Sequence, residues 1–223
     1  PNLALDEFEL QRYLTSASGL PRRTQRVRAS ALRKFRRGYP KLFPVLLAGD
    51  PYPPPLEPIT DAQFETVMAV ARTFRSPAMR EFMSAMLLMG RGAGADGADM
   101  RYVSGRDVFR LPRAGVWIRI SRPGHERQVP ILRSLAPELL GLAEQAGERS
   151  LLTDGPAPCY ADRAAQLSHI LTERVVIRRS GFRVSPERLR AAWITEQLLA
   201  EVPLKLLLQS TGLRSLSTVS RLF

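Results

Sequence analysis

Arginine is the residue type best able to do chemistry in this 223-residue chain. Lysine and arginine number 33 against 21 acidic residues, so the formal net charge is +12 and the pI is near 11.0. Lysine occurs only at Lys34, Lys41 and Lys205. A guanidinium presents a planar fork of donors that fits phosphate oxygens and guanine edges. The charge excess predicts a polyanionic partner, with nucleic acid favoured over an acidic protein or a basic surface kept for solubility.

Other common chemistries find little support in the sequence. The only cysteine is Cys159, and His125 and His169 lie far apart, so neither a disulfide nor metal-ligand spacing is present. Residues 92–97 match the glycine pattern GxGxxG, but a helical pattern precedes them and no βαβ unit follows. They are typical of a helix end and turn. No G-x-S-x-G nucleophile motif occurs. We therefore expect neither a metal nor a cofactor.

No segment indicates a membrane or an export route. The chain has no run of about 18 or more apolar residues. Its first ten residues carry acids instead of the basic patch and apolar stretch of a signal peptide. We expect no membrane partner and a cytoplasmic, nucleoid-associated location.

The most basic stretch is 21–42, which contains no acidic residue. Val27, Ala31, Leu32 and Phe35 recur there at helical spacing, which predicts a helix with one apolar and one cationic face. Contact with a DNA backbone is the favoured interpretation, and a membrane-surface helix or a plain solvated face are the alternatives. Its basic residues are Arg22, Arg23, Arg26, Arg28, Arg33, Lys34, Arg36, Arg37 and Lys41.

A proline-rich segment divides the chain. Residues 51–58, PYPPPLEP, cannot form a helix or a central strand. They predict a stiff linker between a basic helical domain at 1–50 and a larger domain at 59–223.

The larger domain is predicted to be mainly α with a small antiparallel sheet. A capping box at Thr60 and Gln63, and the pair Ser76-Pro77, each predict the start of an amphipathic helix. Alternation at 116–121 and 128–131 around a type II turn at 123–124 predicts a β-hairpin. Further helices are predicted near 98–103, 133–147, 161–178, 186–201, 203–211 and 215–221.

Three segments resemble, in order, motifs of the tyrosine-recombinase (phage integrase) catalytic domain. Residues 87–107 resemble its passage G-x-R-x-x-E-L…L…D, and SRPGHERQVP at 121–130 resembles its hairpin G-K-G-x-K-x-R-x-V-P. VSPERLRAAW at 184–193 resembles t-P-H-x-L-R-H-x-F, and 208–219 resemble L-L-G-H-s-s-l-s-T-T. The resemblance covers about 58–223, and 20–40 loosely resemble the end of the family's core-binding domain. It implies that family's fold and duplex DNA as partner.

Members of this family cleave DNA with a tyrosine, while arginines, a lysine and histidine-type residues stabilise the phosphorane charge. Carried over position by position, the resemblance implies that most of this set is replaced. Only the second arginine is kept, as Arg190. The first arginine falls on Asp96, with Asp99 at the family's acidic position. The lysine falls on Arg122, the two histidines on Glu187 and Leu213, and the tyrosine on Leu222.

These replacements predict a DNA-binding protein without strand cleavage. Asp96 places negative charge where a phosphate would be stabilised, and neither Leu222 nor Phe223 carries a hydroxyl nucleophile. The role would be that of a regulator, a recombination accessory factor or an architectural protein. Phosphate contacts are predicted for Arg22, Arg23, Arg26, Arg33, Arg36, Arg37, Arg119, Arg122, Arg127 and Arg190.

Two other functions stay open. One is an active strand transferase with unusual residues or a nucleophile beyond Phe223. The other is a protein-interaction module that binds itself or an active recombinase through the C-terminus. At the level of residues, Glu187 could complement a helix dipole, Arg190 could pair with Glu187, and Trp193 is expected in the core. The hairpin arginines could simply be solvated.

Overall fold

Residues 57–177 and 182–213 are described by the structure, a computed structural model, and all of them belong to one compact unit, Pro55–Phe223. The domain predicted at 1–50, most of the linker at 51–58 and the helix predicted at 215–221 lie outside the described residues. The domain boundaries therefore stay predictions.

The first two helices begin with the caps that the sequence predicts. α1 (Asp61–Arg72) starts at Thr60, whose hydroxyl accepts from the Gln63 amide at 3.2 Å. The Gln63 side chain accepts in return from the Thr60 amide at 3.0 Å. α2 (Pro77–Ala93) starts at Ser76, with proline in its first turn. These caps satisfy backbone donors that a helix start leaves without partners.

The remaining described α-helices lie where helical periodicity predicts them, and a short 3-10 helix at Gly105–Asp107 was not predicted. They are α3 (Gly97–Met100), α4 (Ala136–Ala146), α5 (Arg163–Ile177), α6 (Pro186–Leu199) and α7 (Leu204–Thr211). Their ends differ from the predicted ones by at most three residues. The shortest, α3, stops at Met100, so the predicted helical residues up to Val103 are not helical.

A three-stranded antiparallel sheet lies between α3 and α4 in the sequence. β1 (Val108–Leu111), β2 (Gly115–Ile120) and β3 (Arg127–Pro130) follow in the spatial order β1-β2-β3. The predicted hairpin is β2-β3, whose turn contains Gly124 at φ 72°. β1 was not predicted.

The core is centred on α2, which packs against α1, α4, α5 and α6. Met83, Met86 and Met89 on α2 are fully buried, because the flexible thioether side chain fills irregular gaps between helices. Trp193 on α6 is 2% exposed, as predicted for a core residue. One face of the sheet adds the cross-strand row Val108, Ile118 and Val129 to the core. The fold class, mainly α with a small antiparallel sheet, is confirmed for this unit.

Candidate functional site

Three guanidinium groups converge on two carboxylates at one place in this fold. Arg190 Nη1 lies 2.7 Å from Asp96 Oδ2, and Arg127 Nη2 lies 2.6 Å from Asp99 Oδ2. Arg122 Nη1 is more distant, at 3.4 Å from Asp99 Oδ1 and 3.6 Å from Asp96 Oδ1. We call these five residues the arginine–aspartate cluster. Residues 94 positions apart in the chain thus meet in it.

The two carboxylates are fixed by the start of α3. Asp96 is the N-cap, and its Oδ1 accepts from the Asp99 amide at 2.8 Å. Asp99 Oδ2 accepts from the Asp96 amide at 3.2 Å, which completes a reciprocal capping box. Both acids are therefore held by backbone hydrogen bonds as well as by the guanidiniums, so the cluster is rigid on its acidic side.

A glycine lets the chain reach Asp96 from α2. Gly94 ends α2 at φ 62°, a left-handed conformation that glycine adopts without strain. A Cβ at this position would lie 2.5 Å from Trp193 Cε3, so the turn also needs glycine for space. The predicted helix end and turn at 92–97 is confirmed. Its function is to place Asp96 beside α6, which carries Arg190.

The two buried arginines are also satisfied by the end of α7. Arg127 Nε donates to the Ser210 carbonyl at 2.7 Å, and Arg190 Nη2 donates to the Thr211 carbonyl. Carbonyls at a helix C-terminus have no partner within the helix and carry partial negative charge, so they suit guanidinium donors. The side chains of Arg127 and Arg190 are only 7% and 10% exposed.

Burial and ion pairing act in opposite directions on this cluster. Burial alone would raise the pKa of Asp99, whose side chain is 1% exposed, but the guanidiniums of Arg127 and Arg190 hold that pKa below its usual range. Burial lowers the pKa of Arg190, and Asp96 and Asp99 oppose that shift. Since arginine keeps its proton in proteins, the cluster at neutral pH contains three cations and two anions.

This arrangement leaves little attraction for a further anion. A phosphate approaching Arg190 would have to replace Asp96 Oδ2 and lie beside the Asp99 carboxylate. Arg122 is the exception, because its side chain is 30% exposed and its ion pairs are the longest in the cluster. The two carboxylates therefore balance the buried guanidiniums of Arg127 and Arg190, and the one positive charge in excess belongs to the partly available Arg122.

Other predicted site residues lie at or beyond the edge of this cluster. Glu187 is exposed in the first turn of α6, where an acid complements the helix dipole. Pairing of Arg190 with Glu187 is wrong as an interpretation, because Arg190 points to Asp96 and Asp99 instead. Leu213 is half-buried against the core. Leu222 lies outside the described residues.

The predicted phosphate-contacting arginines differ in exposure. Arg119 is exposed, with its guanidinium 5.4 Å from the centroid of the Phe109 ring, whereas Arg127 and Arg190 are enclosed in the cluster. The interpretation of the hairpin arginines as merely solvated does not fit Arg127. The contacts predicted at 22–37 fall outside the described residues: they are Arg22, Arg23, Arg26, Arg33, Arg36 and Arg37.

Sequence reasoning missed three further cations of the sheet region. Arg110, Arg113 and Arg133 are exposed, and none pairs with an acid among residues 57–177 and 182–213. Segment 108–133 contains six arginines and one acid, Glu126, and this count could have identified them.

Neither a metal-binding cluster nor a membrane-spanning helix occurs in the described part of the chain. No group of three or more histidine, cysteine, aspartate or glutamate residues is placed there to hold a metal ion. None of the helices described is both long and apolar enough to cross a membrane.

This chain has the fold of the tyrosine-recombinase catalytic domain. Its helices pack on one face of a three-stranded antiparallel sheet, and the Asp96 turn, the β2-β3 hairpin and α6 meet at one point. The resemblance predicted from the sequence is confirmed at the level of the fold. Neither a family model nor a curated protein sequence matches the chain.

Several solved structures share this fold. The Tn1549 transposon integrase in complex with transposon right end DNA has a TM-score of 0.67 at 14% identity, covering 99% of this chain and 82% of that one. The XerH recombinase bound to a palindromic difH substrate has a TM-score of 0.65 at 17% identity, covering 97% and 68%. A lambda integrase dimer bound to a core site has a TM-score of 0.61 at 12% identity, covering 97% and 79%.

Proposed function

We propose that this chain binds duplex DNA and does not cleave it. The observation that carries the proposal is the division among the arginines of the sheet region. Arg110, Arg113, Arg119 and Arg133 are exposed and without an acidic partner among the described residues, whereas Arg127 is neutralised in the arginine–aspartate cluster. The surface charge needed to attract a polyanion is present, and the charge needed to stabilise a reacting phosphate is cancelled.

Binding to DNA is supported by charge and by fold. The net charge of +12 favours any polyanion, because phosphate neutralisation releases condensed counterions. The Tn1549, XerH and lambda recombinases, which share the fold, were solved as complexes with DNA. Arg119 and Arg122 are the described residues that we assign to backbone contacts, with the basic stretch at 21–42 as a second contact region.

Absence of cleavage is supported by the cluster. A phosphorane carries more negative charge than the phosphodiester from which it forms, so its stabilisation requires uncompensated donors. Here Asp96 and Asp99 occupy Nη1 of Arg190, and the Thr211 carbonyl accepts from its Nη2. The family's tyrosine position falls on Leu222, which has no hydroxyl. We infer a role as regulator, accessory factor or architectural protein on cytoplasmic, nucleoid DNA.

Fluorescence anisotropy of a labelled duplex, measured over a range of salt concentrations, tests the DNA proposal. We expect log affinity to fall linearly with log salt, by about 0.9 per phosphate contact. Arg119→Gln and Arg122→Gln should each weaken binding several-fold and reduce the slope by about 1. Arg149→Gln is the matched control, because Arg149 lies on the surface in an ion pair with Asp154. A duplex that does not bind even at low salt would overturn the proposal.

A suicide DNA substrate, which traps a covalent intermediate, tests the second half of the proposal. We expect no covalent protein–DNA adduct on a denaturing gel under conditions in which the duplex is bound. An adduct formed by the chain would establish strand transferase activity instead.

A further inference from the structure

The sheet has an outward face that differs from its core face. Because side chains alternate along a strand, Phe109, Trp117 and Pro130 form one cross-strand row on the side opposite to Val108, Ile118 and Val129. Phe109 and Trp117 are only half-buried, and Pro130 is exposed. Arg119 is exposed on the same side. We call Phe109, Trp117, Arg119 and Pro130 the aromatic face.

The charge around the aromatic face indicates an anionic ligand. Arg119 stacks on Phe109 with 5.4 Å between its Cζ and the ring centroid. Arg113 is exposed in the turn that joins β1 to β2, whereas Arg110 pairs with Val116 and so belongs to the opposite side of the sheet. Within the described part of the chain neither Arg113 nor Arg119 pairs with an acid. A ligand for this face should therefore combine negative charge with flat apolar groups.

Unpaired nucleobases have this combination. In a duplex the base faces are stacked on one another, so an aromatic side chain meets only base edges and phosphates. In a single strand each base offers a free π face to an aromatic ring, while arginines contact the phosphates or stack on bases. An acidic peptide would satisfy the arginines but would leave Phe109 and Trp117 without flat partners.

We propose that the aromatic face binds unpaired DNA, with bases stacked on Trp117 and on the Phe109–Arg119 pair. This surface is distinct from the arginine–aspartate cluster, because Arg127 pairs with Ile120 in the register that faces the core side of the sheet. The inference therefore goes beyond duplex binding and does not depend on it.

The two tryptophans make the test selective. Trp193 is 2% exposed in the core, whereas Trp117 lies on the aromatic face. A base stacked on Trp117 should quench its fluorescence, so oligo(dT) should quench part of the signal of the wild-type chain. Oligo(dT) should leave the signal of Trp117→Phe unchanged, because the remaining tryptophan is buried. If wild-type fluorescence stays unchanged at oligo(dT) concentrations that saturate binding to the protein, the proposal is overturned.

Affinity for labelled oligo(dT), measured by anisotropy, gives the second readout. We expect Trp117→Leu and Phe109→Leu each to weaken oligo(dT) binding about 5- to 100-fold, the range of one lost base–aromatic stack, while duplex affinity changes less than twofold. Arg149→Gln is the control. If a leucine variant loses its thermal unfolding transition, the quenching comparison between the wild type and Trp117→Phe, which keeps an aromatic ring at this position, decides.

Each remaining outcome has a defined meaning. Equal losses for oligo(dT) and duplex in the leucine variants would refute a separate single-strand surface. Displacement of oligo(dT) by an acidic peptide at similar concentration would assign the face to a protein partner and also refute it. A wild-type chain that binds the duplex but not oligo(dT) would overturn this inference alone, whereas a wild-type chain that binds oligo(dT) but not the duplex would overturn the duplex proposal alone.

Discussion

Arginines from one segment of this chain, 108–133, lie in two different environments. On the aromatic face Arg119 is exposed beside Phe109, whereas eight residues later Arg127 is 7% exposed in the arginine–aspartate cluster. The difference arises from Asp96 and Asp99, which lie outside the segment and reach only one side of the sheet. An arginine-rich segment therefore offers positive charge to a ligand only where the fold places no carboxylate beside the arginines.

The energies of the two regions differ for the same reason. An exposed arginine keeps its hydration and costs little, and each contact to a phosphate adds affinity that salt weakens. A buried ion pair is held by low-dielectric attraction against a large desolvation cost, so removing one partner leaves an uncompensated charge. The buried members of the cluster should therefore control stability, whereas the partly exposed Arg122 and the exposed arginines should control binding.

The largest effect is expected from Asp99→Asn. This change removes the anion that pairs with Arg127 at 2.6 Å and also contacts Arg190 and Arg122. We expect the free energy of unfolding to fall by about 3–5 kcal/mol, as for other broken buried ion pairs. Urea unfolding followed by circular dichroism measures it. A loss below about 1 kcal/mol would show that the cluster is not the stabilising element that we describe.

Acidification should lower the free energy of unfolding of the wild-type chain for the same reason as Asp99→Asn does. The pKa of Asp99 is lowered in the folded state, so its contribution to stability is fully present above the unfolded-state value of about 3.9. The contribution is lost as the pH falls below that value and through the folded pKa. The stability difference between the wild type and Asp99→Asn should be constant from about pH 5 to 7 and should shrink in stronger acid. A difference independent of pH throughout would contradict the assignment.

A smaller and more specific effect is expected from Asp96→Asn. Asparagine caps a helix about as well as aspartate, so the start of α3 is kept while the charge opposite Arg190 is removed. Inorganic phosphate should then stabilise the variant by about 1 kcal/mol at concentrations several times its dissociation constant. Thermal unfolding with and without phosphate measures the shift. Equal shifts in variant and wild type would show that Asp96 does not exclude an anion.

Much of this fold follows from local sequence. Caps at Thr60 and Ser76 mark helix starts because their hydroxyls satisfy neighbouring backbone amides, and the alternation in β2 marks a half-buried strand. β1 was missed because it is four residues long, with Pro112 directly after it, and its burial does not alternate strictly. In apolar runs this short, the periodicity of the sequence does not distinguish a strand from other structure.

Only part of the arginine–aspartate cluster could be predicted from the sequence. Motif positions brought Asp96, Arg122 and Arg190 together, and the structure places all three in one cluster. The pairing of Asp99 with Arg127 was missed, because it joins residues 28 apart that belong to different elements, α3 and β3. The spacing of three residues along a helix instead predicted an ion pair between Glu187 and Arg190. Such a prediction fails when a buried side chain points towards another element, as Arg190 does.

The capping role of Asp96 limits which side chains position 96 can hold. Its carboxylate starts a helical turn and also balances neighbouring guanidiniums. An arginine at this position would remove the cap and bring four guanidiniums together around Asp99. Such a variant would lose stability before the pocket gained free charge for a phosphate, so a charge reversal at Asp96 needs a second change that restores the start of α3.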